Sequence, residues 1–179
     1  MKAVLTVLFL LIGLITACHR IPGSHHDPVA SHITSNETFS KFTGRTILTF
    51  YTDDVGRMTQ FYRDVLGFEF LGYWDYNLNC YVQTPPGNLA PIYAGFKAAN
   101  QKIGLHKATN DYQRRSIGLG MFYFEVRNVI AERHRILASG GKPGEIITTT
   151  GLVMFNITDP DGRILRIAAN KSDSNHDLF

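Results

Sequence analysis

Hydrophobic and polar positions alternate along residues 46–52, "TILTFYT", and this period predicts a β-strand. A helical period follows, and its apolar positions are Val55, Met58, Phe61, Val65 and Leu66. Asp54 is placed to cap this helix and Gly67 to end it in a left-handed turn. Three apolar stretches, "FEFLGYW", "PIYAGFKA" and "KIGLHKA", then predict strands, the last two forming a hairpin that turns at 99–100.

The same order of elements recurs in the second half of the chain. "GMFYFEV" predicts a strand, Asn128 is placed to cap the helix "VIAERHRILAS", and "GEIITTT", "LVMFNIT" and "RILRIAA" predict three more strands. Phe50 and Asp54 precede Phe124 and Asn128 by the same 74 residues. We therefore predict an internal duplication. The fold class is α+β, with two βαβββ modules at about 45–108 and 117–169 that form a curled mixed sheet with a concave cleft.

The segment 75–91, between two predicted strands, leaves two alternatives. It is long for a connection between paired strands, and loops of this length often cover a functional site. Alternatively, "CYVQT" extends the sheet and leaves only a short turn at 85–87.

The N-terminus has the pattern of a targeting signal. An uninterrupted apolar run from Val4 to Ile15 is too short for a comfortable transmembrane helix and is typical of a secretory signal. The run ends in small residues before Cys18 and resembles the lipobox of bacterial lipoprotein precursors, which implies cleavage after residue 17 and lipidation of Cys18. A plain signal peptide with an incidental cysteine is the alternative.

This resemblance sets the expected location and organisation of the chain. Residues 1–17 would be the signal peptide, and 18–43, rich in Pro, Ser, Thr and His, a flexible tether. The lipid on Cys18 would anchor the protein in the cell envelope. Since His19, not aspartate, would follow the lipidated cysteine, the resemblance favours the periplasmic face of the outer membrane in a Gram-negative cell.

Composition bounds the rest of the chain. The 179 residues are 44% apolar, with 18 Lys and Arg against 15 Asp and Glu, which suits one globular domain at 44–170 and a polar tail at 171–179. The charge balance and the lack of a basic tract argue against nucleic acid as a partner.

Four stretches, "DVGRMTQFYRDVLGFEFLGYW", "IGLH", "MFYFEVRNV" and "DPDGRILRI", together resemble the vicinal oxygen chelate superfamily. This superfamily includes glyoxalase I, bleomycin-binding proteins and extradiol dioxygenases. The resemblance implies a glyoxalase/bleomycin resistance-like fold of paired βαβββ modules with a U-shaped cleft. In the enzymes of the superfamily, His, Gln or Glu side chains on the concave strands bind a divalent metal.

The resemblance also implies where metal ligands should stand, and this chain departs from that pattern. The positions on the first strand of each half hold Ile47 and Met121, and the position after the "DPDG" turn holds Arg166. The fourth position falls near Gly104, where only His106 could substitute. A guanidinium repels a cation, so we expect no metal and no other cofactor.

Strand alternation predicts which side chains line the cleft. The concave face should collect Ile47, Thr49, Tyr51, Gly104, His106, Met121, Tyr123, Glu125, Ile164 and Arg166. The opposite face is uniformly apolar and should form the core; its members are Leu48, Phe50, Phe122, Phe124, Val126, Leu165 and Ile167.

The chemically capable members of the concave face are the candidate ligand-binding residues, and they are Thr49, Tyr51, His106, Tyr123, Glu125 and Arg166. Arg166 would hold an anion such as a carboxylate or phosphate. Alternatively, Arg166 forms an internal salt bridge with Glu125 that merely fills the cleft.

Three functions remain open at this point. The first is a lipid-anchored envelope protein that binds a small organic or anionic ligand without the usual metal. The second is a glyoxalase I-like lyase or a dioxygenase with an unconventional divalent metal site around His106 and Glu125. The third is a non-catalytic envelope protein that receives a peptide or a partner domain. The two modules could pair within one chain or across a homodimer.

Overall fold

A computed structural model describes residues 46–87 and 89–171. The first half contains β1 (Ile47–Thr52), α1 (Val55–Gln60), β2 (Glu69–Asp75), β3 (Cys80–Val82), β4 (Tyr93–Ala98) and β5 (Gln101–Lys107). The second half contains α2 (Asp111–Arg115), β6 (Met121–Glu125), α3 (Val129–Ala138), β7 (Ile147–Thr148), β8 (Leu152–Thr158) and β9 (Ile164–Asn170). The predicted signal peptide, the whole predicted tether and all but the first residue of the predicted polar tail lie outside the described residues.

The strands form two mixed sheets, one from each half of the chain. The first sheet has the order β1-β5-β4-β2-β3 and the second β6-β9-β8-β7. In each sheet the first strand of the half pairs in parallel with the last strand, β1 with β5 and β6 with β9, and the other ladders are antiparallel. The predicted duplication and the α+β fold class are therefore confirmed. Among the described residues, no strand of one sheet forms a ladder with a strand of the other.

Local sequence signals explain where the elements begin and end. The carboxylate of Asp54 accepts a hydrogen bond from the backbone N–H of Arg57 at 2.9 Å, and the Asn128 side chain caps α3 in the same way through Ala131. Helix α1 continues as a π-helical turn over Phe61–Val65, and Gly67 then adopts a positive φ of 69°. The predicted hairpin turn is also confirmed, because Ala98 pairs with Gln101.

One hydrophobic core serves both halves. The buried side chains of the first helix and its π-helical turn, which include Met58 and Tyr62, belong to the same cluster as Ile136 of α3 and Phe155 of β8. All seven side chains that alternation assigned to the core either belong to this cluster or pack against it. Two ring contacts join the halves directly: Phe50 with Phe122 at 4.4 Å and Phe68 with Phe124 at 5.2 Å between ring centroids.

The structure differs from the sequence-based elements at three places. Residues 80–82 add β3 to the first sheet, so the extended-sheet alternative for the segment 75–91 is right. A short helix, Asp111–Arg115, begins at an Asn110 cap that was not predicted. The strand predicted for "GEIITTT" shrinks to Ile147–Thr148. Within the described part of the chain, no helix is long and apolar enough to cross a membrane.

Candidate functional site

The predicted concave residues occupy the faces of the two sheets that point away from the core. Ile47 is 54% exposed and Met121 56%, whereas their neighbours Leu48 and Phe122 pack against the core. Thr49, Tyr51 and His106 lie on the first sheet, and Tyr123, Glu125 and Arg166 lie on the second. Each sheet therefore presents its own outward face, and no hydrogen bond or ring contact joins these two groups within the described ranges.

The outward face of the first sheet is aromatic. The ring of His106 contacts Tyr51 on β1 and Tyr93 on β4, with centroids 5.8 and 6.0 Å apart, and both contacts are edge-on. Further across the sheet, the half-buried Trp74 and Tyr81 rings meet at 5.0 Å. This side of the sheet can therefore stack an aromatic ligand.

Glycines make room for these rings. Gly72, Gly95 and Gly104 lie opposite one another on β2, β4 and β5. A Cβ atom on Gly95 would lie 2.6 Å from atoms of the Tyr81 ring, and one on Gly104 would overlap the Tyr93 ring and hydroxyl. The side chains of Tyr81 and Tyr93 therefore pack directly on the backbone of these glycines, and a larger residue in place of Gly95 or Gly104 would displace them.

Burial also affects the chemistry of this face. Desolvation raises the pKa of Tyr81 and the pKa of Tyr93. Both phenols therefore remain neutral near pH 7.

His106 has a defined tautomer. Its Nδ1 lies 2.7 Å from the backbone carbonyl oxygen of Lys107. Because a carbonyl oxygen can only accept a hydrogen bond, Nδ1 carries the proton, and Nε2 of the neutral ring is left as an acceptor. His106 can thus accept a hydrogen bond from a ligand on the aromatic face.

The outward face of the second sheet carries Arg166 among apolar side chains. Its Nε donates a hydrogen bond to Oδ1 of Asn156, which lies directly opposite on β8, at 3.1 Å. On the other side of Arg166, Tyr123 of β6 lies opposite it. Met121 and Ile164, which pair with each other on the same face, are exposed. Within the described residues no carboxylate lies within 4.0 Å of the guanidinium.

The internal salt bridge that was the alternative for Arg166 does not form among the described residues. Glu125 does not pair with Arg166; its Oε1 accepts a hydrogen bond from Nδ2 of Asn170 at 3.2 Å. Neither the charge of the Arg166 guanidinium nor its two terminal nitrogens therefore have a carboxylate partner in the described part of the chain. Such a group can bind an anion with two parallel hydrogen bonds.

The donor set does not fit a divalent metal. Ile47, Met121 and Arg166 supply no oxygen, imidazole or thiolate ligand, and a positive charge at Arg166 opposes cation binding. Among the described residues, no three His, Cys, Asp or Glu side chains are grouped closely enough to hold an ion.

Several residues of the aromatic face were missed by sequence reasoning. Trp74, Tyr81 and Tyr93 were not among the candidates, because their place on this face depends on strand pairing. A signal for Tyr93 was nevertheless present, since a hairpin that turns at 99–100 pairs residue 93 with His106.

The match to a known family follows the same boundaries as this fold. Residues 45–167 match the model of the glyoxalase/bleomycin resistance protein/dioxygenase superfamily. The chain belongs to this superfamily. The predicted resemblance is thereby confirmed, and so is the glyoxalase/bleomycin resistance-like fold. No curated protein sequence matches the chain.

Solved structures of the superfamily share the fold at low sequence identity. The antibiotic-binding protein TnmS3 from Streptomyces sp. CB03234 is 16% identical, with a TM-score of 0.55 over 76% of this chain and 100% of its own. The lactoylglutathione lyase from Agrobacterium tumefaciens is 20% identical, with a TM-score of 0.51 over 72% of this chain and 95% of its own. Both a binding protein and an enzyme are thus built on this fold.

Proposed function

We propose that this chain is a lipid-anchored envelope protein that binds a small organic anion without a metal. The observation that carries the proposal is the charge of Arg166, which stands unpaired with any carboxylate among the described residues and beside the exposed Met121, Tyr123 and Ile164. Apolar contacts would supply affinity, and the guanidinium would fix the orientation of a carboxylate or phosphate group. TnmS3, which has the same fold and binds an antibiotic, supports a small-molecule ligand.

Arg166→Met should weaken binding of an anionic probe such as benzoate by about 1.5 to 3 kcal/mol, the usual scale for hydrogen bonds to charged groups. Methionine retains much of the aliphatic packing but removes the charge. Chemical-shift titration with benzoate, and with benzamide as the neutral counterpart, measures the loss. Arg115→Met, an exposed arginine of α2, is the matched control and should bind benzoate like the wild type. Equal benzoate affinity for Arg166→Met and the wild type would contradict the proposal.

The stability of the same variants tests the role of Arg166 in the fold. Because Arg166 and Glu125 do not touch, thermal melts of Arg166→Met, Glu125→Gln and the double variant should give additive changes in stability, within about 0.5 kcal/mol. A strong coupling between the two substitutions would instead indicate that Arg166 and Glu125 form an internal salt bridge.

A homodimer is part of this proposal. Strand β1 pairs only with β5 and β6 only with β9 within the described residues, so each leaves one edge without a ladder. A strand edge of this kind favours pairing with another chain. A second copy could also bring the aromatic face of one sheet towards the Arg166 face of another.

The lipid anchor rests on sequence alone, because Cys18 lies outside the described residues. Cys18→Ser should leave the precursor without lipid, since the hydroxyl of serine does not replace the thiol that the lipobox presents. Detergent partitioning of wild-type and variant protein checks this expectation. If both proteins partition into the detergent phase alike, the anchor is not attached at Cys18.

A glyoxalase-like enzyme is the second candidate function. It is favoured by the free acceptor Nε2 of His106 and by the lactoylglutathione lyase among similar structures. Because catalytic metal sites use at least three protein ligands, we expect the purified domain to carry less than about one-tenth of an equivalent of Zn, Ni, Mn or Fe. Elemental analysis measures this content. Stoichiometric metal that is lost in His106→Ala would support the enzyme instead.

A further inference from the structure

An open cavity of about 730 Å³ lies where the two halves of the chain meet. Its walls are the segment after α1, the tip of the β4–β5 hairpin at 97–101 and the last residues of the edge strand β6. We call it the junction cavity. Its volume falls within the range of pockets that bind small molecules, about 300 to 1,000 Å³. Arg166 does not line it, but Tyr123, which pairs with Arg166 across β6 and β9, does, so the cavity adjoins the anion position proposed above.

The junction cavity holds one negative charge that no described cation neutralises. Of its three glutamates, Glu69 forms an ion pair with Lys97 at 3.8 Å. Glu132 receives two hydrogen bonds from the guanidinium of Arg135, at 2.6 and 3.0 Å. Glu125 accepts only from the neutral amide of Asn170 at 3.2 Å. A ligand with one positive charge would therefore balance the cavity.

Arg135 cannot serve Glu125 as well, because its guanidinium is already engaged. Its Nη1 donates to the carbonyl oxygen of Val65 at 3.2 Å and its Nη2 to that of Leu66 at 2.9 Å, in addition to Glu132. This cation is thus tied to the end of the first helix, and the acidic character at Glu125 is built into the fold.

Aromatic and apolar side chains form the rest of the wall. Phe68 and Phe124 both line the cavity, with their ring centroids 5.2 Å apart, and the half-exposed ring of Tyr123 lies next to Glu125 on the same face of β6. The faces of aromatic rings attract organic cations, and quaternary ammonium groups are recognised in this way. Phe124 points to the core side of β6, so Glu125 lies beside the Tyr123 ring in a cavity that Phe68 and Phe124 also line. A carboxylate in such surroundings is suited to an ammonium group that carries an apolar body.

We propose that the junction cavity binds an organic cation, an amine or quaternary ammonium compound, with Glu125 as its counter-charge. This proposal goes beyond the anion site at Arg166 and does not rest on it. Tyr123 borders both sites. The sites nevertheless differ in the sign of the ligand charge, so an anionic and a cationic probe test them separately.

Benzyltrimethylammonium is the probe, and benzyl alcohol is its neutral counterpart. In chemical-shift titrations of the folded protein, the cation should perturb residues 97–101 and 123–126 and bind more tightly than the alcohol. Glu125→Gln keeps the size of the side chain and its acceptor for Asn170, and it should weaken cation binding by about five- to tenfold. Added salt should weaken binding to the wild type more than to this variant.

Glu145→Gln is the matched control, because Glu145 is an exposed glutamate outside the cavity. It should bind the cation like the wild type. Both variants should melt like the wild type, so that a loss of affinity reports on the ligand and not on folding. Equal affinity of Glu125→Gln and the wild type for the cation, or shifts confined to residues outside the cavity, would overturn the proposal.

Discussion

Arg163→Met should lower the free energy of unfolding by about 3 to 5 kcal/mol, the largest loss that we expect from a single substitution in this chain. The side chain is among the largest that are fully buried, at 1% exposure, and its Nη1 pairs with Oδ2 of Asp159 at 2.5 Å. Removing the cation leaves a buried carboxylate without its counter-charge. Urea unfolding followed by circular dichroism measures the loss.

The ion pair of Arg163 and Asp159 belongs to a network that connects the two halves of the chain. Asp159 also accepts hydrogen bonds from the hydroxyl of Tyr62 at 3.1 Å and from two backbone N–H groups of its own turn. The guanidinium lies 4.5 Å from the centre of the Phe50 ring, and Nη2 donates to the carbonyl oxygen of Tyr51. These contacts join β1 and the first helix to the β8–β9 turn of the other half.

Arg63→Met is the control for Arg163→Met. Arg63 pairs with Asp64, but both side chains are about half exposed, and such pairs contribute about 0 to 1 kcal/mol. The double variant Asp159→Asn/Arg163→Met should lose less stability than the two single changes together, because neither charge is then left alone. If Arg163→Met costs no more than Arg63→Met, the pair does not hold the halves together.

Gly72→Ala should cost about 3 kcal/mol or more, because two penalties act at one residue. Gly72 has a φ of 133°, which L side chains rarely adopt, and a Cβ atom there would lie 2.7 Å from the backbone carbonyl oxygen of Val82. That oxygen belongs to the neighbouring strand β3, so it cannot move aside as the end of a side chain could. Thermal or urea unfolding measures the loss.

Two other glycines separate the causes. Gly140 has a positive φ of 81° but no atom within 4 Å of an added Cβ, so Gly140→Ala should cost only about 1 to 2 kcal/mol. Gly151 has neither a positive φ nor a close neighbour, and Gly151→Ala should be neutral or slightly stabilising. A loss for Gly72→Ala equal to that for Gly140→Ala would show that β3 yields to the new methyl group.

The sequence predicted most of the fold because alternation and capping are local. Helix caps form at Asp54 and Asn128, and the hairpin turns at 99–100, as the residue types at these positions predict. Strand β3 and the reduced β7 depend instead on which neighbours are available for pairing, and no local pattern contains that information.

The candidate site was only partly predictable. Alternation placed Arg166 correctly on the outward face, but its partner Asn156 depends on the pairing of β8 with β9. Arg163 was overlooked although the same alternation puts it on the side of Leu165 and Ile167, which faces the core. A charged residue on a core face is a signal of a buried ion pair, and Asp159 four residues earlier was its available partner.

The parallel pairing of the first and last strands of each half constrains the order in which the chain can fold as it leaves the ribosome. Ile47 pairs with Lys102 and Met121 with Ile164, so neither sheet can close until nearly the whole half has been synthesised. Even then, the completed first half would expose Met58 and Tyr62, whose shared cluster also needs the second half. The chain therefore commits to its native state late, which would suit the export of an unfolded precursor that the proposed lipid anchor requires.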